Sequence, residues 1–160
     1  MKDFYIFLDI DGTLNDREFI DTFKKSEDSK KVFSNFKPES VEALNYLIEQ
    51  LSLNYDVNLV ISSCWRHFMN RTMLCLNKNK VNLEKVKRIN KTCYLTSRDE
   101  EIKQFLKERN ETKNFVAIDD EADDFKIPKR NKIKTNFETG ALSLNHVKTF
   151  LCLLTQEFEK

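Results

Sequence analysis

Three short apolar runs constrain this chain more than any other feature: FYIFL at 4–8, VNLVI at 57–61 and NFVAI at 114–118. Each is too short for a core helix and shows no polar alternation. That pattern predicts strands buried on both faces. Such strands need cover on two sides, and the segments between them supply it. Pro38 opens a predicted helix to about Leu51, with Val41, Leu44, Leu47, Ile48 and Leu51 on one face. Trp65, Phe68, Met69, Thr72, Met73 and Leu76 recur at helical spacing, which predicts a helix over 65–77. Ser97-Arg98-Asp99-Glu100 has the capping-box pattern and predicts a helix to about Arg109. Leu144, Val147, Leu151, Leu154 and Phe158 mark a terminal amphipathic helix. Weaker strands are expected at 93–95 and 133–135. Residues 15–37 read as an irregular or partly helical flap. Alternating strands and helices predict an α/β sandwich around a mostly parallel sheet, in one domain over 1–160.

Composition narrows the function classes. The 160 residues carry 27 Lys and Arg against 26 Asp and Glu, a net charge of +1, which excludes a uniformly basic nucleic-acid coat. Four cysteines (Cys64, Cys75, Cys93, Cys152) form no C-x-x-C pair, and only His67 and His146 are present, so no zinc-finger spacing exists. The start, MKDFYIFLD, is too short and too quickly acidic for a secretory signal, and no apolar run approaches a membrane span. A cytoplasmic protein without membrane partners is expected. The oligomeric state is not readable.

In parallel sheets the chemistry lies beyond the carboxyl ends of the strands. Four polar clusters fall at such ends or at a helix start nearby: Asp9-Ile10-Asp11-Gly12-Thr13-Leu14, Ser62-Ser63, Ser97-Arg98 and Asp119-Asp120. Carboxylates directly after a buried strand need compensation, and a divalent cation such as Mg²⁺ suits carboxylate oxygens. An Asp can also serve as nucleophile, and a second can act as acid and base. Arg98, in the first turn after an N-cap, makes an anion site together with unpaired backbone N–H groups. Trp65 begins an apolar stripe and reads as core. Arg66 reads either as a phosphate ligand or as the partner of an acid. Asp123 and Asp124 read either as positioning groups for a metal-bound water or as a solvated acidic turn. Cys64 reads as a small buried residue; the C-x5-R of cysteine phosphatases is missing, since Asn70 stands where the arginine belongs.

DIDGTL resembles the first motif of the haloacid dehalogenase (HAD) superfamily of phosphohydrolases. VISSCWR, TSRDEEIKQFL, FVAIDDEADD and ETGAL are similar, in order, to the later motifs of a small HAD family named for "Swiss army knife" RNA-repair proteins. The resemblance covers most of residues 3–145. It implies a three-layer Rossmann-like HAD fold with a minimal cap. It implies Asp9 as nucleophile, Asp11 as general acid and base, Ser62 as phosphoryl-binding hydroxyl and Arg98 as the third-motif cation. Ser63 is an alternative to Ser62, and Lys103 to Arg98. Asp9, Asp119, Asp120 and the Asp11 backbone carbonyl are the implied Mg²⁺ ligands.

The expected activity is a Mg²⁺-dependent phosphatase working through an aspartyl-phosphate. The substrate class ranked first is RNA or DNA phosphate ends. A small phosphometabolite or phosphoprotein is the alternative, and a non-catalytic phosphate- or partner-binding domain is the reading from another class. Two basic stretches, 78–91 and 126–134, are expected either to track a phosphate backbone beside the site or to be solvated loop charge.

Overall fold

The computed structural model describes residues 1–24 and 35–155. Residues 25–34 of the expected flap and 156–160 of the expected terminal helix lie outside the described residues. Five strands, β1 (Lys2–Leu8), β2 (Tyr55–Ile61), β3 (Arg88–Lys91), β4 (Phe115–Asp119) and β5 (Lys132–Lys134), form one all-parallel sheet in the order β3-β2-β1-β4-β5. The central strand β1 alternates its side chains between two cores. Phe4, Ile6 and Leu8 pack with α2 (Pro38–Ser52), α3 (Met69–Lys78) and α5 (Leu144–Thr155). Tyr5 and Phe7 pack on the other face with Ile102, Phe105 and Leu106 of α4 (Arg98–Lys107). Helix cover on both faces is what makes the apolar runs continuous rather than alternating. The result is a Rossmann-like three-layer fold.

Register decides where the polar clusters meet. Leu8 lies opposite both Ile61 and Ile118. The ladder runs on by single bonds: Ser62 N–H donates to the Leu8 carbonyl at 3.1 Å, and Asp9 N–H to the Ile118 carbonyl at 3.0 Å. Asp9, Ser62 and Asp119 therefore emerge at one level.

Two elements differ from expectation. The third strand is β3 at 88–91, not 93–95. It is an edge strand with charged residues at its solvent side, so the apolar signal used for the central strands is missing. Residues 93–95 instead form an exposed loop. The helix expected over 65–77 is a 3-10 turn, Cys64–Phe68, followed by α3. At the junction the Thr72 hydroxyl donates to the carbonyls of Trp65 and Phe68, at 2.9 and 3.1 Å. Cys64 is exposed rather than buried. Among the described residues no helix is long and apolar enough to cross a membrane.

The loops around the site are tied by Asp16, which belongs to none of the motifs. Asp16 is buried and caps α1 (Arg17–Lys24) by accepting from Phe19 N–H at 2.9 Å. Its other oxygen accepts from Lys37 Nζ at 2.7 Å and from Ala141 N–H at 3.3 Å. One carboxylate thus joins the loop after β1, the entry to α2 and the ETGAL segment. Burial pushes the Asp16 carboxyl up, but the hydrogen bonds from Lys37 and the two backbone N–H groups outweigh it and hold it below the usual carboxylate range. A depressed folded value means this stabilisation is complete above the ordinary carboxylate range and is lost as pH falls through the folded value. Asp16→Ala should cost on the order of 3 kcal/mol in denaturant melts at neutral pH, from the lost cap and the stranded lysine. That deficit should shrink on acidification.

Candidate active site

β1 and β4 deliver three carboxylates to one point. Asp9 and Asp119 are buried and Asp120 half-buried, and one oxygen from each lies within 4.8 Å of the others. Arg98 Nη1 donates to Asp119 Oδ2 at 2.5 Å and lies 3.5 Å from Asp9 Oδ1. Asp119 Oδ1 accepts from Glu121 N–H at 2.8 Å. Burial first, then the neighbouring Asp119, pushes the Asp9 carboxyl well above its ordinary range despite Arg98. Burial also raises Asp119 against the pull of the same arginine. Arg98 is itself pushed up, because Asp9 and Asp119 outweigh the effect of its own burial. One guanidinium against three carboxylates leaves excess negative charge in a poorly hydrated place. The donor set is all carboxylate oxygen, which is the chemistry of a hard divalent cation, so Mg²⁺ fits it.

Arg98 reaches this point because Ser97 caps α4. The Ser97 hydroxyl accepts from Glu100 N–H at 3.3 Å, and Arg98 is the first helical residue. Gly12 makes the turn after Asp9 possible in two ways. Its φ is +83°, and a Cβ there would stand 2.7 Å from Asp120 Cγ. The backbone of the first loop thus rests on a side chain of the fourth motif.

Asp11 is exposed, and its carboxylate stands apart from the three-acid cluster. Oδ2 accepts from Trp65 Nε1 at 2.9 Å, while Asn15 Nδ2 lies 3.5 Å from Oδ1. Trp65 also packs edge-on against Phe36, with ring centres 5.9 Å apart. It was expected to be core; it packs against the core and positions Asp11 as well. No spacing signal in the sequence connects an indole N–H to an acid 54 residues earlier.

Ser62 is buried at the end of β2. The Ser63 hydroxyl caps the following 3-10 turn, accepting from Trp65 N–H at 3.2 Å. Arg66 and Lys103 are not brought to the carboxylate cluster. Arg66 is buried and makes a two-pronged pair with Glu101, both bonds 2.8 Å, and a third bond to the Ser62 carbonyl. That is the acid-partner alternative. Lys103 pairs with Asp99 one turn earlier on α4, at 2.6 Å. Asp123 is exposed and lies 3.7 Å from Lys134, while Asp124 is also exposed.

The basic stretches are divided between the two ends of the sheet. Arg88 lies opposite Asn58 and Lys91 opposite Ile61, so 85–88 sits toward the amino end, away from the carboxylates. There Lys87 pairs with Asp56 and Asp3, and Lys85 with Glu49. Lys129 and Arg130 precede β5 beside Asn131, which donates to the carbonyls of Lys113 and Phe115 at the start of β4. Lys134, whose ammonium donates to the Asp120 carbonyl, is at the site end. The expected flanking track of 78–91 and 126–134 is therefore not continuous around the site.

A parallel sheet with carboxylates at the ends of two adjacent strands, an arginine between them and a glycine turn over them defines a HAD-type domain. The chain belongs to the family described as the HAD domain in Swiss Army Knife RNA repair proteins, which matches residues 5–147. Comparison with curated proteins and with solved structures finds no match. The family suggests a phosphatase-type hydrolase, and HAD domains generally use Mg²⁺.

Gly12→Ala should be destabilising by about 1–2 kcal/mol from backbone geometry alone, and more if Asp120 cannot move. A thermal melt with a Mg²⁺ titration checks this: the variant should melt lower and gain less from the ion.

Proposed function

We propose that this protein is a Mg²⁺-dependent phosphomonoesterase that works through an aspartyl-phosphate at Asp9, on the phosphate ends of nucleic acids. The observation that carries the chemistry is the buried Asp9 held beside Asp119, Asp120 and Arg98 at the carboxyl end of the sheet. The substrate class rests on the family's association with RNA repair.

In this reading Asp9, Asp119 and Asp120, with the Asp11 backbone carbonyl, hold the ion. Bound Mg²⁺ supplies charge neutralisation and draws electron density from the phosphoryl oxygens. A carboxylate oxygen of Asp9 attacks phosphorus, and the bond from phosphorus to the leaving oxygen breaks. Asp11 gives its proton to that oxygen as it leaves. Asp11 then takes a proton from water as the water attacks phosphorus. The Asp9–phosphorus bond breaks, releasing inorganic phosphate and restoring the Asp9 carboxylate. Arg98 holds non-bridging oxygens, and so does the Ser62 hydroxyl, which follows β2 at the level of Asp9. Trp65 keeps Asp11 at the mouth of the site until substrate arrives.

Asp9→Asn should abolish turnover. Without metal it should melt at or above the wild-type temperature near neutral pH, because a raised carboxyl pKa means the ionised group opposes folding there. Activity and melts measured together decide it; near-normal turnover would sink the mechanism. Mg²⁺ should raise the melting temperature and EDTA should remove activity. Trp65→Phe should lower kcat by roughly tenfold while binding of inorganic phosphate stays unchanged, as judged by steady-state kinetics and product inhibition.

A further inference from the structure

Beside the carboxylates lies a cleft of about 620 Å³ of which the proposed chemistry uses Arg98 alone. It runs between the 3-10 turn Cys64–Phe68 and the loop from β3 to α4, and Arg98 forms part of its wall. On that rim stands a stack of planar groups. The His67 ring lies 4.4 Å from the Tyr94 ring, 28° from parallel, and the Arg66 guanidinium carbon is 4.0 Å from the Tyr94 centre. The stack is footed on the interior, because Arg66 is buried and fixed by Glu101 and the Ser62 carbonyl. Its top is open: His67 is exposed, Tyr94 is 52% exposed and the neighbouring Phe68 is 67% exposed.

We propose that this cleft is a nucleobase subsite, in which the terminal base of a phosphorylated nucleic-acid strand stacks on the Tyr94–His67 rim while its phosphate sits at Asp9. The inference deepens the proposed function and rests on it. Three observations select this occupant. A stack of flat groups suits a flat π-system, and base–aromatic stacking is indifferent to sequence. The lining also carries the acids Glu100, Glu121 and Asp124 beside Lys126, and those acids can accept hydrogen bonds from base amino and ring N–H groups. Arg98 joins the cleft to the catalytic carboxylates, so phosphate and base lie on opposite sides of one side chain. Arg66, read from sequence either as a phosphate ligand or as the partner of an acid, pairs with Glu101 and supports Tyr94. Among the described residues, the cleft of about 610 Å³ at the other end of the sheet, around Tyr55 and Leu151, offers no such stack.

The test compares kcat/KM on matched substrates with Mg²⁺ present. These are short RNA and DNA strands phosphorylated at either end, the same strands with an abasic residue under the terminal phosphate, a nucleoside monophosphate and β-glycerol phosphate. Wild type should prefer the base-bearing end over the abasic one by about tenfold or more, mostly through KM. Tyr94→Ala and His67→Ala should erase that preference and leave β-glycerol phosphate unchanged, and Tyr94→Phe should keep it. Equal rates on base-bearing and abasic ends in wild type overturn the subsite and leave the phosphatase reading standing. Parallel losses on every substrate in the alanine variants overturn it too, as a merely structural role. A Tyr94-dependent preference confined to the monophosphate keeps base stacking and overturns the nucleic-acid end. Hydrolysis of β-glycerol phosphate with none of any nucleotide substrate overturns both the subsite and the nucleic-acid reading.

Discussion

Three carboxylates and one guanidinium share the space where β1 and β4 end, and that crowding organises what surrounds it. Asp9 and Asp119 are charged groups shut away from water by the sheet that delivers them. Burial first, then Asp119, raises the Asp9 carboxyl, and Arg98 offsets this only in part. A site in this condition has the donor set of a hard cation. The apolar strands cause the burial, so the core and the chemistry are consequences of the same residues. Phe7 and Leu8 exclude water from the interior just before the chain presents Asp9.

Keeping such a cluster intact requires that the loops carrying it not relax apart. The restraints are backbone and buried polar contacts rather than surface ion pairs. Gly12 lies against Asp120, the Thr13 and Thr135 hydroxyls are 3.2 Å apart, and Leu142 N–H donates to the Thr13 carbonyl at 2.8 Å. Asp16 adds the tie between α1, Lys37 and Ala141. The longest of these contacts, Leu142 to Thr13, spans 129 residues of chain. On the α4 side, the Arg66–Glu101 pair performs a similar task for the cleft rim, fixing Thr92 and Tyr94 to the end of β2. The two sides of the site are thus built differently, one from a loop network and the other from a buried ion pair.

The sequence made the architecture legible where a residue's role depends on its near neighbours. The central strands read correctly because both their faces are covered, which leaves only apolar residues. The start of α4 read correctly because Ser97 and Glu100 are one helical turn apart. β3 escaped because an edge strand needs no continuous apolar run and Lys and Arg suit its open side. The 65–77 helix was misjudged at its start because spacing cannot show that Trp65 and Arg66 are drawn away to Asp11 and Glu101. Lys85 and Lys129 looked adjacent to site motifs, yet strand direction carries them toward the other end of the sheet.

What the sequence alone determined is the parallel α/β arrangement and the placing of Asp9, Ser62 and Asp119 at strand ends, because strand burial and strand polarity are written in consecutive residues. What only the tertiary structure decided is which side chains face one another across those ends. Trp65 on Asp11, Arg66 under Tyr94 and Asp16 on Ala141 each join segments that no periodicity links. Such pairings depend on strand order and on how helices settle against the sheet. Those follow from the packing of the whole core, not from any local stretch of chain.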